Sequence, residues 1–378
     1  MSIYTLENPI QNYDWGSHDA MTRLFGMPNE SGKPMAELWM GAHPKAPSSV
    51  LVDGEWKKLN ALAKGETLPF LFKVLSAAKP LSLQSHPNKQ QALKGFAREN
   101  DLGIPLDAFD RNYRDDNHKP ELVYALTPYR AMKGFRPVEE IAALFDMAGL
   151  KLLQEAVELL RNTGLKAFYE RLMSLQGEEK ELLVKLVAEF AENCNDPAWQ
   201  EVKRLNQCYP GDIGILSPLM LNVIELAPGQ AMFFTAGTLH AYLQGTALEI
   251  MACSDNVLRG GLTGKHVDVE ELLKTIQFNS IPLSDLLLEP GVEENGETAY
   301  TTPVNDFLFS IIEPAKMTAP VSVEAAEILF CVEGQQTVHY ADNKTLELNP
   351  GESCFVSANC GFYRLEGHGR LARATSVA

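Results

Sequence analysis

The sequence predicts a mainly β protein with an inserted all-α domain and two related β-modules. Three observations lead to this fold class. Apolar residues repeat at helical spacing within residues 137–209, the flanking regions consist of short apolar segments broken by Gly and Pro, and one 22-residue pattern occurs twice. A chain of 378 residues is long enough for two or three domains.

The helical block begins at Pro137, which suits the first position of a helix and is followed by Glu139 and Glu140 in the first turn. Pro210 and Gly211 end the block. Its apolar positions recur every three or four residues at Leu152, Leu153, Val157 and Leu160, and again at Leu182, Leu183, Leu186, Val187 and Phe190.

The regions on either side of this block are predicted to be rich in strands. Segments 49–52, 70–76 and 81–86 are typical of short strands, and Asn88 is typical of the N-cap of a helix that runs to about Phe96. A further short helix is expected near residues 268–276, where Asp268 and Glu271 have the spacing of a capping box.

The repeat joins residues 224–245 and 346–367, which are identical at 8 of 22 positions without a gap. Both copies contain a strand, a Pro-Gly turn and a second strand, and Gly supplies the positive φ that such a turn requires. The predicted inner position after the turn is His240 in the first copy and Phe362 in the second. We therefore expect a metal site in the first module and none in the second.

Bulk composition excludes several classes of partner. A net charge of −16 argues against nucleic acids and anionic membrane surfaces. No apolar run reaches the roughly 20 residues of a membrane-spanning helix. The first residues lack the regions of a secretion signal, and the six cysteines show no C-x-x-C spacing. We expect a cytoplasmic monomer with reduced thiols, whose site must concentrate positive charge if its ligand is an anion.

Two polar segments carry candidate metal ligands. In S-L-Q-S-H-P, Ser82, Gln84 and His86 occupy alternate positions and share one face of an extended strand. In N-H-K-P-E, the proline favours an extended backbone, which puts Lys119 and Glu121 on a common face. Taken alone, each segment is also compatible with a polar strand end or a charged loop.

Two later segments complete the candidate site. H-A-Y-L places His240 and Tyr242 on one strand face, so that two His, one Glu and one Gln offer four ligands. Such a set suits zinc with a position left for water or substrate, and it also suits other borderline divalent ions. The glycine-rich segment after Cys253 carries Asp255, Arg259 and Lys265, and its backbone can approach a ligand closely. Arg and Lys suit a phosphate, although an ordinary surface loop is the alternative.

Together these segments resemble the type I mannose-6-phosphate isomerases, also called phosphomannose isomerases. The resemblance extends over about residues 5–280. The matching motifs are N-Y-D-W-G at 12–16, A-E-L-W-M-G at 36–41, F-K-V-L-S at 72–76, S-L-Q-S-H-P at 82–87, N-H-K-P-E at 117–121, H-A-Y-L at 240–243 and C-S-D-N-V-L-R-G-G-L-T at 253–263.

The resemblance implies two cupin-like (jelly-roll) β-modules plus an all-α domain. The expected catalytic domain is discontinuous and consists of residues 1–136 and 210–288, and it bears the metal. The inserted helical domain is expected at 137–209, and a C-terminal cupin-like β-domain without a metal site at 289–378.

The resemblance also implies a function: interconversion of mannose 6-phosphate and fructose 6-phosphate by proton transfer between C1 and C2 through an enediolate. One zinc ion per chain would be held by Gln84, His86, Glu121 and His240. The expected catalytic residues are Arg259, Lys119 and His118. The expected substrate-binding residues are Lys73, Ser82, Tyr242, Glu249, Asp255, Lys265 and Trp15.

The identity of the base stays open at this stage. Lys119 could take the proton if its surroundings favoured the neutral amine, and His118 is a rival that points the other way on an extended segment. Arg259 should hold negative charge on the enediolate or on the phosphate. Two other functions remain: a non-catalytic cupin-type protein that binds sugar phosphates or regulates, and an iron-dependent oxygenase, for which two His and a carboxylate would also be suitable.

Overall fold

The computed structural model describes residues 2–62, 68–341 and 343–377, and it confirms the predicted mainly β fold with a helical insertion. The strands, in chain order, are β1 Ile3–Glu7, β2 Ile10–Gln11, β3 Glu37–Met40, β4 Ser49–Val52, β5 Glu55–Lys58, β6 Phe70–Ala77, β7 Gln84–Ser85, β8 Glu121–Ala125, β9 Tyr129–Phe135, β10 Leu221–Leu226, β11 Ala231–Phe234, β12 His240–Ala252, β13 Leu258–Arg259, β14 Glu297–Tyr300, β15 Leu308–Ile312, β16 Val321–Ser322, β17 Glu327–Tyr340, β18 Lys344–Leu348, β19 Ser353–Val356 and β20 Phe362–Thr375.

The described helices, in chain order, are α1 Ala20–Phe25, α2 Leu59–Leu62, α3 Lys89–Asp101, α4 Val138–Asp146, α5 Lys151–Thr163, α6 Leu165–Met173, α7 Gly177–Asn193, α8 Pro197–Cys208, α9 Ser217–Met220 and α10 Val269–Thr275. Most of them, α4 to α9, lie between β9 and β10 in the chain. Short 3-10 turns cover Ile213–Leu216, Leu283–Asp285, Pro314–Lys316 and Ala358–Cys360. In the part of the chain that the structure describes, no helix has the length and apolar character needed to cross a bilayer.

The first module is organised around β12. This 13-residue strand pairs antiparallel with β6, β7, β8 and β9, so that residues from four neighbours face its side chains. Successive side chains point to opposite faces. Leu239, Ala241 and Leu243 join the core of the helical domain, whereas Tyr242 lies in a separate cluster inside the module.

The helical domain covers the outer face of this module. Helices α4 to α8 bury one apolar side each, and Leu153, Val157 and Leu160 of α5 are at most 1% exposed. They share one continuous core with Trp199 of α8 and with Leu83, which precedes the metal-ligand segment. This packing fixes the strand ends that carry the candidate ligands.

The C-terminal module includes strands from the start of the chain. Strand β1 pairs with β19, and β4 pairs with β1, so the sheet order is β14-β15-β20-β17-β19-β1-β4-β5. The first strand of the chain thus belongs to the sheet of residues 297–375, across the predicted boundary at residue 289. Such a pairing is set by contacts distant in sequence, which local patterns do not contain.

The two Pro-Gly turns of the repeat are present, with φ of +94° at Gly229 and +87° at Gly351. The predicted inner position of the second copy is nevertheless wrong. Phe362 is 61% exposed and Tyr363 is fully buried in the core of the C-terminal module. A shift of one residue reverses the face of every side chain on a strand. The inward-facing position after the turn is therefore one residue later in the second copy, at Tyr363, than the repeat alignment with His240 predicts.

Capping residues were predicted well, while element ends were not. Asn88 and Gln91 form the capping box of α3, which extends to Asp101 rather than to about residue 96. Segment 81–86 contains only the two-residue strand β7. Pro137 is the N-cap of α4 rather than its first residue. Asp268 caps α10, but a side-chain oxygen of Glu271 accepts a hydrogen bond from the hydroxyl of Tyr113 at 2.9 Å.

Candidate metal centre and active site

Three of the four predicted ligands converge inside the first module. His86 follows β7, Glu121 opens β8 and His240 opens β12. One ligand atom from each lies within 4.8 Å of the other two, and all three residues are at most 2% exposed. Nε2 of His86 is 3.3 Å from Oε1 of Glu121, and Nε2 of His240 is 3.2 Å from Oε2.

The hydrogen bonds of the two imidazoles fix which nitrogen faces the carboxylate. Nδ1 of His86 lies 2.8 Å from the carbonyl oxygen of Asn256, and Nδ1 of His240 lies 2.8 Å from that of Thr238. A carbonyl can only accept, so each Nδ1 carries the proton and each Nε2 presents a lone pair. Both Nε2 atoms are buried and have no hydrogen-bond partner.

Two buried lone pairs that face a carboxylate repel it unless a cation lies between them. A ring nitrogen held by a backbone carbonyl on its far side is the usual arrangement for a metal-ligating His. Two imidazole nitrogens and one carboxylate, with room for further ligands, form a donor set that zinc prefers. The residues present therefore fit a zinc ion.

Electrostatics keep these groups in ligand-competent forms. Burial, assisted by the charge of Lys119, lowers the pKa of His86 to about 4. Burial opposes ionisation of Glu121, but Lys119 and the imidazoles outweigh it and hold the pKa of that carboxyl well below its usual range. At neutral pH His86 is thus neutral and Glu121 is charged, as metal binding requires.

Gln84 lies beside this trio on the neighbouring strand. Its Cα is in register with His240 of β12 on one side and with Arg259 of β13 on the other. Residues directly opposite one another on paired strands project to the same face of the sheet. Gln84 therefore lies in one cross-strand row between a metal-ligating His and the predicted catalytic Arg.

A chain of polar contacts continues from the metal centre into the module. The hydroxyl of Tyr242 is 3.1 Å from Oε2 of Glu121 and 2.8 Å from Oε1 of Glu249. Nζ of Lys73 is 2.6 Å from Oε2 of Glu249 and 3.7 Å from Oε1 of Glu37. Burial opposes the charge of Lys73, yet these two carboxylates raise its pKa, so it remains a cation.

A cavity of about 180 Å³ opens beside this chain. Five of the predicted residues line it: Lys73, Lys119, Asp255, Arg259 and Lys265. The sequence analysis missed its other polar and aromatic walls, namely Tyr13, Trp39, His43, Lys45, Arg111, Asn112, Arg114 and Ser254. The motifs N-Y-D-W-G and A-E-L-W-M-G contain Tyr13 and Trp39, but a motif does not say which of its residues faces a cavity.

The other five predicted catalytic or substrate-binding residues lie outside this lining: Tyr242 and Glu249 in the chain of polar contacts, and His118, Trp15 and Ser82. Nε2 of His118 is 2.9 Å from Oδ2 of Asp306, a residue near the start of the C-terminal module. Trp15 stacks on Tyr13 with ring centroids 5.7 Å apart. Tyr13 lines the cavity, and Trp15 does not. Ser82 is half-buried and does not line the cavity.

Two motifs interlock to position the cavity wall. The side-chain oxygen of Asn256 accepts a hydrogen bond from the backbone N–H of Arg114 at 2.7 Å, and its amide donates to the carbonyl of Asp115 at 2.8 Å. The hydroxyl of Ser254 donates to Oδ1 of Asp115 at 2.8 Å. Because Asn256 is fully buried, these bonds fix the segment that leads to Glu121.

The glycines after Arg259 allow close packing, a role that the sequence analysis did not predict. A Cβ on Gly260 would lie 2.7 Å from the hydroxyl of Tyr169, and one on Gly261 would lie 2.8 Å from Oδ1 of Asp212. Gly261 also has φ of +122°. Both positions therefore let the Arg259 segment pack against the helical domain.

Family models match three parts of the chain. Residues 3–138 match the catalytic domain of type I phosphomannose isomerase, and residues 139–221 match its helical insertion domain. Residues 296–376 match the cupin domain of mannose-6-phosphate isomerase.

Individual relatives cover nearly the whole chain. Mannose-6-phosphate isomerase of Escherichia coli is 46% identical over 97% of this chain and 98% of its own, and that of Homo sapiens is 34% identical over 94% of each. A crystal structure of zinc-bound mannose 6-phosphate isomerase is 43% identical, covers both chains completely and superposes with a TM-score of 0.94. The chain belongs to the type I phosphomannose isomerase family.

Proposed function

We propose that this protein is a zinc-dependent isomerase that interconverts mannose 6-phosphate and fructose 6-phosphate. The observation that carries the proposal is the convergence of His86, Glu121 and His240 beside a cavity lined by cations. Relatives of the same length are named as isomerases, which supports an enzyme over a non-catalytic binding protein. The basic cavity supports a sugar phosphate over the substrates of an iron oxygenase.

In our proposal His86, Glu121, His240 and Gln84 hold the zinc ion. When bound, zinc supplies a positive charge that polarises the sugar oxygens and steadies the charge of the enediolate. Tyr242 keeps Glu121 oriented through its hydroxyl, which lies 3.1 Å from that carboxylate.

We assign the proton transfer to Lys119. Its side chain is 11% exposed, lines the cavity, and has Nζ 2.7 Å from Oε1 of Glu121. With zinc as the counterion of Glu121, the amine of Lys119 would be released from that ion pair to act as the base: it would take the proton from C2 of the open-chain aldose and return it to C1 of the enediolate, while the hydroxyl proton moves from O2 to O1. His118, turned toward Asp306, is assigned the role of holding this segment in place.

The remaining cavity residues bind and orient the sugar. Arg259 offers charged donors to developing negative charge, because its guanidinium lacks a carboxylate partner among the described residues. Lys73, fixed by Glu249, and Asp255, paired with Lys45 at 2.7 Å, both line the wall and suit the sugar hydroxyls. Trp15 and Ser82 have no direct substrate contact in this assignment.

We further propose that the protein is a cytoplasmic monomer with a discontinuous catalytic domain, a helical domain and a C-terminal cupin-like domain, as the sequence indicates. All six cysteines are free thiols, which suits a reducing compartment. A net charge of −16 disfavours self-association. Light scattering coupled to gel filtration would test the oligomeric state.

The test of function is an isomerase assay on the zinc-loaded protein, run in heavy water. We expect mannose 6-phosphate to yield fructose 6-phosphate, with exchange of carbon-bound hydrogen at the transferred position. A chelator-treated sample is the matched control and should lose activity that added zinc restores. Absence of both turnover and exchange with every hexose phosphate would contradict the proposal, and oxygen uptake with iron(II) would favour an oxygenase instead.

A further inference from the structure

The cations of the active-site cavity fall into two groups. Four of them have a carboxylate within 4.0 Å: Lys45 with Asp255, Lys73 with Glu249, Arg111 with Glu99, and Lys119 with Glu121. The other three, Arg114, Arg259 and Lys265, form no ion pair with any described residue, although they line the same cavity.

These three unpaired cations are close enough to affect one another. Burial lowers the pKa of Arg259, and the charge of Arg114 lowers it further. Burial also lowers the pKa of Lys265, and both arginines add to that effect. Two half-buried guanidinium groups beside an exposed lysine repel one another, which is unfavourable without an anion, because half-buried charged side chains are normally paired.

Arg114 is held in this wall by its backbone. The N–H of Arg114 donates to the buried side chain of Asn256 at 2.7 Å. Asn256 directly precedes Val257, which lines the same wall, and β13 begins at the next residue. The backbone is thereby fixed, while the guanidinium remains without a carboxylate partner. Nε of Arg259 is likewise buried and has no hydrogen-bond partner. Both groups offer free donors to a ligand.

We propose that Arg114 is a phosphate-binding residue which, together with Lys265, holds the dianionic phosphate of the substrate, while the neighbouring Arg259 serves the charge of the enediolate. This inference rests on the proposed function and deepens it. It orients the sugar, because the phosphate lies against Arg114 and Lys265 while C1 and C2 lie toward Lys119, Glu121 and Arg259. It also explains how a chain of net charge −16 attracts an anion: among the described cations that line the cavity, Arg114, Arg259 and Lys265 are left without a carboxylate partner.

The test compares Arg114→Gln and Arg114→Lys with wild type. Arg114→Gln should raise KM for mannose 6-phosphate and the Kd for inorganic phosphate by about tenfold to a hundredfold, the effect of one charged hydrogen-bond donor. Its kcat should change less than about threefold, because the reacting carbons lie at the other end. Arg114→Lys should recover part of the loss, since the charge returns without the bidentate geometry.

Arg23→Gln is the matched control, since Arg23 is exposed, paired with Asp19 at 3.3 Å and outside this cavity. Phosphate binding is measured by calorimetry on the zinc-loaded protein, independently of turnover. KM and Kd of Arg114→Gln within twofold of wild type, with normal zinc content, would overturn the inference. Failure of the wild type itself to isomerise mannose 6-phosphate would instead contradict the proposed function, and the calorimetry would still test Arg114.

Discussion

Nε2 of His118 lies 2.9 Å from Oδ2 of Asp306, so a residue at the edge of the C-terminal module holds the segment that ends in the metal ligand Glu121. The two side chains are 25% and 20% exposed, which places the contact at a partly buried junction. The next residue, Lys119, points to the opposite side and contacts Glu121. The C-terminal module thus helps to position the segment to which we assign the proton transfer.

This arrangement predicts that replacing Lys119 and replacing His118, the two candidate bases, lower kcat to different extents. Lys119→Met should lower kcat at least about a hundredfold, the scale of a missing general base. His118→Gln and Asp306→Asn should each lower kcat less than about tenfold, because they only loosen the segment. Steady-state kinetics with mannose 6-phosphate measure all three. A loss for His118→Gln as large as that for Lys119→Met would make His118 the base.

The position of Arg259 leads to a second prediction about kcat. Its guanidinium lies in the cross-strand row that includes Gln84 and has no carboxylate to neutralise it. Arg259→Ala should lower kcat at least about a hundredfold, the scale of losing one charge-stabilising donor. Arg259→Lys should recover part of the rate, and both variants should retain zinc. Near-normal turnover of Arg259→Ala would remove this residue from the chemistry.

A buried lysine of β9 predicts a pH effect on stability. Lys133 is 6% exposed, and burial lowers its pKa to about 8 from the ordinary value of 10.5. Between these values the unfolded chain binds more protons, so the destabilisation by Lys133 is complete below pH 8 and fades as the pH rises toward 10.5. Lys133→Met should therefore gain most in Tm over wild type at pH 7 and less at pH 9.5.

Differential scanning calorimetry at both pH values measures this difference in Tm. Exposed Lys166 provides the control, because Lys166→Met should show a difference that does not vary with pH. A Tm gain of Lys133→Met that stays constant, or grows, from pH 7 to pH 9.5 would contradict the assigned burial effect.

Local patterns were sufficient for the parts of the fold that depend on neighbouring residues. The capping box of Asn88, the helical block and the two Pro-Gly turns follow from side-chain chemistry within a few positions. The convergence of His86, Glu121 and His240 was also predicted, but from the four motifs taken together and the family they resemble, because each motif alone was ambiguous.

What the sequence did not reveal depends on contacts between distant residues. The pairing of β1 with β19 joins opposite ends of the chain, and the contact of His118 with Asp306 spans 188 residues. The inward phase of Tyr363, in place of Phe362, depends on a one-residue offset that identity between the repeats conceals. Arg114 was overlooked because its lack of a carboxylate partner becomes visible only when the ion pairs of the other cations in the cavity are known.

The metal content of the purified protein tests the central claim most directly. After dialysis, inductively coupled plasma mass spectrometry should find about one zinc ion per chain in wild type, since three buried protein ligands hold the ion. His240→Ala should retain essentially none, while Arg23→Gln should match wild type. One tightly bound ion per chain in His240→Ala would contradict the account, because the buried trio would then not be the metal site.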